Sequence, residues 1–271
     1  MGRVFEEVPS WTGELIPGST DHLWAPEVHF RSGKWHLYYS VSTFGKNRSA
    51  IGLATNVTLD PTRDDYTWHD EGVVVQSHFE DDFNAIDPAV VEDGEGRLWL
   101  FFGSFWSGIK AIELDERTGK VLSPGAAPMA IARRFRADHD AIEAPYVFRW
   151  EGWYYLFVSF DACCRGVDST YNIRVGRSKT ITGPYLDREG RPMLEGGGTL
   201  LRAGTKRWRG TGHNSIYLSQ DCQVALLVYH AYDAEEKGMS KLRIEVLQWE
   251  EDGAGWPRLP PVPADDEELV A

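Results

Sequence analysis

The sequence predicts an all-β chain folded as a β-propeller, and three observations carry that prediction. Short runs rich in aromatic and β-branched residues alternate with turns containing Gly or Asp, which is the grammar of hairpins. Helical periodicity over a window of about eleven residues is lacking, and only residues 111–118 and 232–240 each read as a turn of helix. The runs also recur on one plan. Pro26 to Pro88 is 62 residues and Pro88 to Pro145 is 57, close to the length of a four-stranded blade with loop insertions. A β-sandwich would carry similar hairpins without requiring this repeat.

Taken in chain order, Gly2-Arg3-Val4-Phe5 reads as the outermost strand of a blade, because it resembles Gly72-Val73-Val74-Val75 further on. No inner strands precede it. Four complete units follow, each a polar or acidic residue beside Pro or a small residue, an apolar strand, a turn, then an aromatic strand. The first runs from Leu23-Trp24-Ala25-Pro26-Glu27-Val28 to Tyr38-Tyr39-Ser40, and the second from Ala85-Ile86-Asp87-Pro88 to Phe101-Phe102-Gly103-Ser104. The third runs from Ala141-Ile142-Glu143-Ala144-Pro145 to Leu156-Phe157-Val158-Ser159. The fourth is looser, from Gly212-His213-Asn214-Ser215 to Leu227-Val228-Tyr229-His230, and closes near Gly255-Trp256-Pro257. The expectation is a five-bladed propeller with four complete blades plus the last strand of an N-terminally truncated leading blade. It forms a single domain over 1–258, and the Pro-rich acidic stretch 259–271 reads as a solvated tail.

Composition narrows the function classes. Forty-one acidic residues against 28 basic ones give a net charge of −13, which argues against nucleic acid as a partner. No apolar run reaches the ~18 residues of a membrane span. The N-terminus lacks the basic and apolar regions of a signal peptide, and the compartment is left unassigned. Three cysteines, two of them adjacent (Cys163, Cys164), make no disulfide scaffold and read as small buried hydrophobes. The excess is aromatic, with 11 Trp, 11 Tyr and 12 Phe, and aromatic faces suit the apolar faces of sugar rings.

In a propeller the first strand of each blade lines the central channel, so Asp87 and Glu143, at nearly matching positions in consecutive repeats, face one axis. Two carboxylates there suit general acid–base work on a glycosidic bond, or else they cap neighbouring backbone. Trp24 reads as core or as a sugar platform, and His213 as core packing or as a ligand. No Walker loop, Gly-x-Ser-x-Gly elbow or Cys-x-x-Cys pair occurs.

Several ordered motifs then match a family. These are His22-Leu23-Trp24-Ala25-Pro26, Tyr38-Tyr39-Ser40-Val41-Ser42 with Phe44-Gly45-Lys46-Asn47, Asn84-Ala85-Ile86-Asp87-Pro88 and Gly103-Ser104-Phe105-Trp106. With them go Ile142-Glu143-Ala144-Pro145, Cys163-Cys164-Arg165-Gly166, Gly196-Gly197-Gly198 and Gly212-His213-Asn214-Ser215. Over residues 2–258 the chain closely resembles the endo-α-1,5-L-arabinanases of glycoside hydrolase family 43, five-bladed propellers that cut arabinan with inversion and are often secreted. The resemblance implies that Glu143 is the general acid and Asp87 the second carboxylate, which raises and orients the acid. It implies substrate contacts at Trp24, Asn84, Ala85, Ile86, Ser104, Phe105 and Trp106. It also implies a calcium ion near His213, coordinated mostly by water. The partner expected is arabinan or an arabino-oligosaccharide. One departure stands out: the family's general base is an Asp in a His-Asp-Pro motif, and no such motif occurs in the 271 residues. The expectation is therefore a hydrolase whose base is missing, or an arabinan-binding propeller with impaired turnover. Asp21 is the first suspect for a substitute base.

Overall fold

A computed structural model describes residues 3–19, 22–135, 140–219, 221, 223–250, 255–263 and 266–269. Gly2 and Asp21 therefore lie outside the described residues. The chain divides into two compact units, Met1–Ala130 and Ile131–Ala271. Among the described residues it is all-β, with four four-stranded sheets whose strands follow one another in order, as in propeller blades.

The first unit opens with a short helix, α1 (Trp11–Leu15), ahead of the first described blade. That blade orders β1 (Trp24–Arg31), β2 (Lys34–Val41), β3 (Ser49–Asn56) and β4 (His69–Ser77) as neighbours. The second blade follows with β5 (Ala89–Glu92), β6 (Leu98–Phe102), β7 (Ile109–Leu114) and β8 (Met129–Ala132), the last carrying the chain into the second unit. Both faces of the first blade are buried, so its middle strands read as near-continuous apolar runs. Period-two alternation sorts their side chains. Tyr38, Ile51 and Leu53 join Leu98, Leu100 and Phe102 of the second blade in one core. Leu37, Tyr39 and Val41 pack on the other face with Ile16, Val4, Phe5 and Trp11. Gly52 permits that second packing, since a Cβ there would stand 2.5 Å from the Tyr39 ring.

The second unit repeats the plan. Its first blade runs β9 (Ile142–Trp150), β10 (Trp153–Phe160), β11 (Asn172–Ser178) and β12 (Thr199–Arg202). Its second blade runs β13 (Trp208–Leu218), β14 (Ala225–Asp233), β15 (Met239–Trp249) and β16 (Pro257–Arg258). Tyr155, Phe157, Ile173 and Val175 of one blade meet Ile216, Leu227, Tyr229 and Leu247 of the other. Burying each such side chain contributes about 1.5–3 kcal/mol.

Four sequence expectations need correction. Arg3–Phe5 forms no strand; Val4 and Phe5 spend their apolar surface on the Tyr39 cluster, with the Phe5 and Tyr39 rings 5.5 Å apart, and the backbone joins no ladder. Residues 111–114 finish β7, and Asp115 then closes a turn by accepting from the Thr118 N–H at 2.8 Å. Residues 232–240, by contrast, do hold the expected turn of helix, a 3₁₀ turn at Ala234–Glu236 begun by the Asp233 side chain accepting from the Glu235 N–H. Cys163 and Cys164 are bonded to each other and are not buried, since adjacency in a loop, not core packing, decides their state. The C-terminal stretch is docked: Lys206 N–H donates to Glu267 O at 2.9 Å, Leu269 N–H to Gly204 O at 2.7 Å, and Asp266 accepts from Thr205 Oγ1. Its acidic side chains meet Lys206 and Arg202, which a composition-based reading leaves unpaired.

Candidate active site

The start of each blade carries one residue in the left-handed region: in β1, β9 and β13 it sits where the ladder to the second strand slips, and in the second blade it lies two residues ahead of β5. These residues are Ala25 (φ 45°), Asp87 (φ 58°), Ala144 (φ 51°) and His213 (φ 50°). Only Gly adopts this conformation without cost, so four such residues at repeat-equivalent places mark a device and not four accidents. A serine on the preceding blade's second strand meets the turned backbone. Asp87 N–H donates to Ser40 Oγ at 3.0 Å in the first unit, and His213 N–H to Ser159 Oγ at 2.8 Å in the second. The same serines pair across their own blades with Trp24 and Glu143. Thus Asp87 stands at the repeat position of His213, and Glu143 at that of Trp24. The two carboxylates are one residue out of register in the repeat, and they lie in different units.

In the second unit Glu143 is half-buried, and its Oε1 accepts from the Tyr171 hydroxyl at 2.6 Å. The Tyr171 ring stacks on His230, centroids 5.7 Å apart, and His230 meets Tyr232 edge-on at 5.3 Å. Tyr232 OH in turn accepts the Cys164 N–H at 2.9 Å, which ties the cystine loop to the same wall. His213 keeps an accessible edge although protein packs closely round it. That enclosure holds its pKa below the ordinary value, while the charge of Glu143 pulls it upward. Burial first, then the charge of His213, lowers His230 to about 4, so it is neutral near pH 7.

In the first unit the two predicted contact segments are knitted together. Gly103 N–H donates to Ile86 O at 2.8 Å and Ser107 N–H to Asp82 O at 2.8 Å. Ala85 and Ile86 are buried, and Ala85 N–H donates to Ser77 Oγ at 2.9 Å. Asn84 is buried with its Oδ1 lacking a hydrogen-bond partner among the described residues. Ser104 is buried too, while Phe105 and Trp106 are both left-handed, and Trp106 is 37% exposed. Trp24 is half-buried opposite Ser40. Glu27, beside it, is no candidate base: burial raises its pKa to about 8 against one weak backbone hydrogen bond from Val90, so it is protonated near pH 7.

Among the described residues no three His, Cys, Asp or Glu side chains gather as metal ligands. Neutral His213 can offer one nitrogen, so the residues present fit calcium only as a largely hydrated ion, given its preference for ~6–8 oxygens. The sequence reading missed Tyr171. Its one signal was position, seven residues after the Cys163-Cys164 pair and directly before β11.

Comparison with known proteins bears on this arrangement. Residues 1–257 match the family described as glycosyl hydrolases family 43. The chain is similar to an extracellular exo-α-(1→5)-L-arabinofuranosidase of Cellvibrio japonicus, 45% identical over 276 residues, covering 98% of this chain and 77% of that protein. It is also similar to extracellular endo-α-(1→5)-L-arabinanase 1 of Bacillus subtilis, 46% identical over 254 residues, covering 94% and 74%. Among solved structures, Cellvibrio cellulosa α-L-arabinanase complexed with arabinohexaose superposes with a TM-score of 0.89 at 44% identity, covering 96% of this chain and 84% of that one.

Proposed function

The chain belongs to the glycosyl hydrolases of family 43, and on that premise we propose that it cleaves α-1,5-linked L-arabinan with inversion, Glu143 serving as general acid. The observation that carries this reading is the setting of Glu143: a half-buried carboxyl at a strand irregularity, with one oxygen held by Tyr171. In the reaction Glu143 gives its proton to the glycosidic oxygen as the bond to the anomeric carbon breaks, and water attacks the opposite face. Asp87 is the second carboxylate. Trp24 supplies an aromatic face, and Asn84, Ala85, Ile86, Ser104, Phe105 and Trp106 bind sugar. A calcium ion near His213 would be held by that imidazole and water, supplying fixed positive charge; no step depends on it.

The water still needs a base. In the five-bladed arrangement that the resemblance implies, the base belongs to a His-Asp-Pro motif on a blade additional to the four described. This sequence contains no such motif. For these 271 residues taken by themselves, a second reading is an arabinan-binding propeller with turnover reduced by roughly 10²–10⁴-fold. Cleavage of linear arabinan with and without azide, followed by fragment length and by the glycosyl azide formed, separates the two. Azide needs no deprotonation, so a chain without a base should respond by forming the inverted β-arabinofuranosyl azide. Fast hydrolysis untouched by azide would mean that a residue of this chain, Asp21 first, serves as base.

A further inference from the structure

Nothing in the family-level reading gives Tyr171 a task, yet its hydroxyl donates to the acid. Its ring is 1% exposed. On one side lies Gly212, where a Cβ would come within 2.1 Å of the ring. On another side His230 stacks at 28° between planes. A phenol clamped this way cannot swing, so its hydroxyl is delivered to one place, 2.6 Å from Glu143 Oε1.

We propose that Tyr171 is a positioning residue for the acid: by donating to Oε1 of Glu143, its phenol reserves Oε2 as the oxygen that carries the transferable proton. This inference rests on the reading of Glu143 as general acid. A glutamate's terminal torsion is broad and nearly two-fold, so an unheld carboxyl presents either oxygen and loses catalytic orientation. The carbonyl oxygen of a protonated carboxyl is a better acceptor than its hydroxyl oxygen, so the phenol's donation to Oε1 favours Oε2 as the oxygen that carries the proton. When the glycosidic bond breaks, the Oε2–H bond breaks with it and the proton moves to the leaving oxygen. The bonding electrons of the C–O bond go to that same oxygen, and Tyr171 keeps its own proton. The carboxylate produced is then stabilised by the same hydrogen bond, which strengthens as the acceptor becomes charged.

The surroundings are consistent with this division of labour. Titratable groups facing the pair include His213 on β13 and His230 on β14. His230 meets the pair through its ring, stacked on the Tyr171 face with centroids 5.7 Å apart. The assignment also explains a glycine: Gly212 precedes His213 because any side chain there would displace the Tyr171 ring.

Tyr171→Phe keeps the ring between Gly212 and His230, so it tests the hydroxyl alone. Two measurements read it. In proton NMR, the Tyr171 hydroxyl resonance, identified by its loss in Tyr171→Phe, should exchange with water at least tenfold faster in Glu143→Ala. An exchange rate unchanged in Glu143→Ala would overturn the proposal without any turnover being needed. In kinetics with azide present, Tyr171→Phe should lower kcat on arabino-oligosaccharides tenfold or more with KM unchanged. It should lose less than threefold on an aryl arabinoside, whose leaving group needs no proton. Equal losses on both substrates, or a loss confined to KM, would also overturn it. Failure of the underlying reading looks different: Glu143→Ala itself would then lose equally on the two substrates, or lose nothing.

Discussion

A carboxyl group does acid catalysis only where its proton, its orientation and its exposure agree, and on the proposed reading Glu143 offers a half-buried carboxyl whose Oε1 accepts from Tyr171. Glu143→Ala should lower arabinan cleavage by roughly 10²–10⁴-fold while leaving the melting temperature within a few degrees, because a half-buried carboxyl fills little core volume. Paired reducing-sugar and thermal-melt assays check both halves of that statement. Much of this was legible in the sequence. Asp87 and Glu143 sit at repeat starts beside Pro or small residues, and the repeat singles out that pair, whereas Trp24 and His213 take their proposed roles from the family resemblance. Their exact equivalences were not legible, because a bulge moves register by one residue without changing composition. Tyr171 was not legible either. It reaches Glu143 from 28 residues away through tertiary packing, and no local pattern announces such a contact.

At the scale of strands, the recurring element is a turned backbone at the start of one blade donating to a serine on the blade before it. Ser40→Ala would leave the Asp87 N–H without that acceptor, and Ser159→Ala would do the same to His213. Both serines are fully buried, so each substitution should cost about 1–3 kcal/mol, read as a lower urea midpoint with an unchanged m-value. Gly52→Ala belongs to the same scale. Its methyl must displace the Tyr39 ring or Trp11, and the expected loss is again about 1–3 kcal/mol. The strands themselves were readable because aromatic runs bounded by Gly turns have few other solutions. The docking of the C-terminal stretch was not, since composition cannot say that Lys206, Thr205 and Gly204 stand opposite its acids and backbone.

For the whole molecule, pH acts on stability from both sides through the first unit. Glu27 has a folded pKa of about 8 against an ordinary 4.5, so its contribution is fully present below pH 4.5 and is lost as pH rises through 8. His29 and His36, opposite each other across β1 and β2, are pushed the other way, chiefly by burial. Their contribution is present above about 6.5 and is lost as pH falls through their lowered folded values. Glu27→Gln should therefore raise the melting temperature most at pH 8 and above, and hardly at all below pH 4.5. A uniform gain at every pH would contradict the burial account.

The central claim is that this chain carries the acid half of an arabinan-cleaving site at Glu143. Leaving-group dependence tests it most directly. Turnover of the parent chain and of Glu143→Ala is measured in azide, on a linear α-1,5-arabino-oligosaccharide and on an aryl arabinoside. The account predicts a loss of ~10²–10⁴-fold on the oligosaccharide and a small loss on the aryl glycoside, because only the first leaving group needs a proton. Retention of a tenth or more of the parent's rate on the oligosaccharide would contradict it.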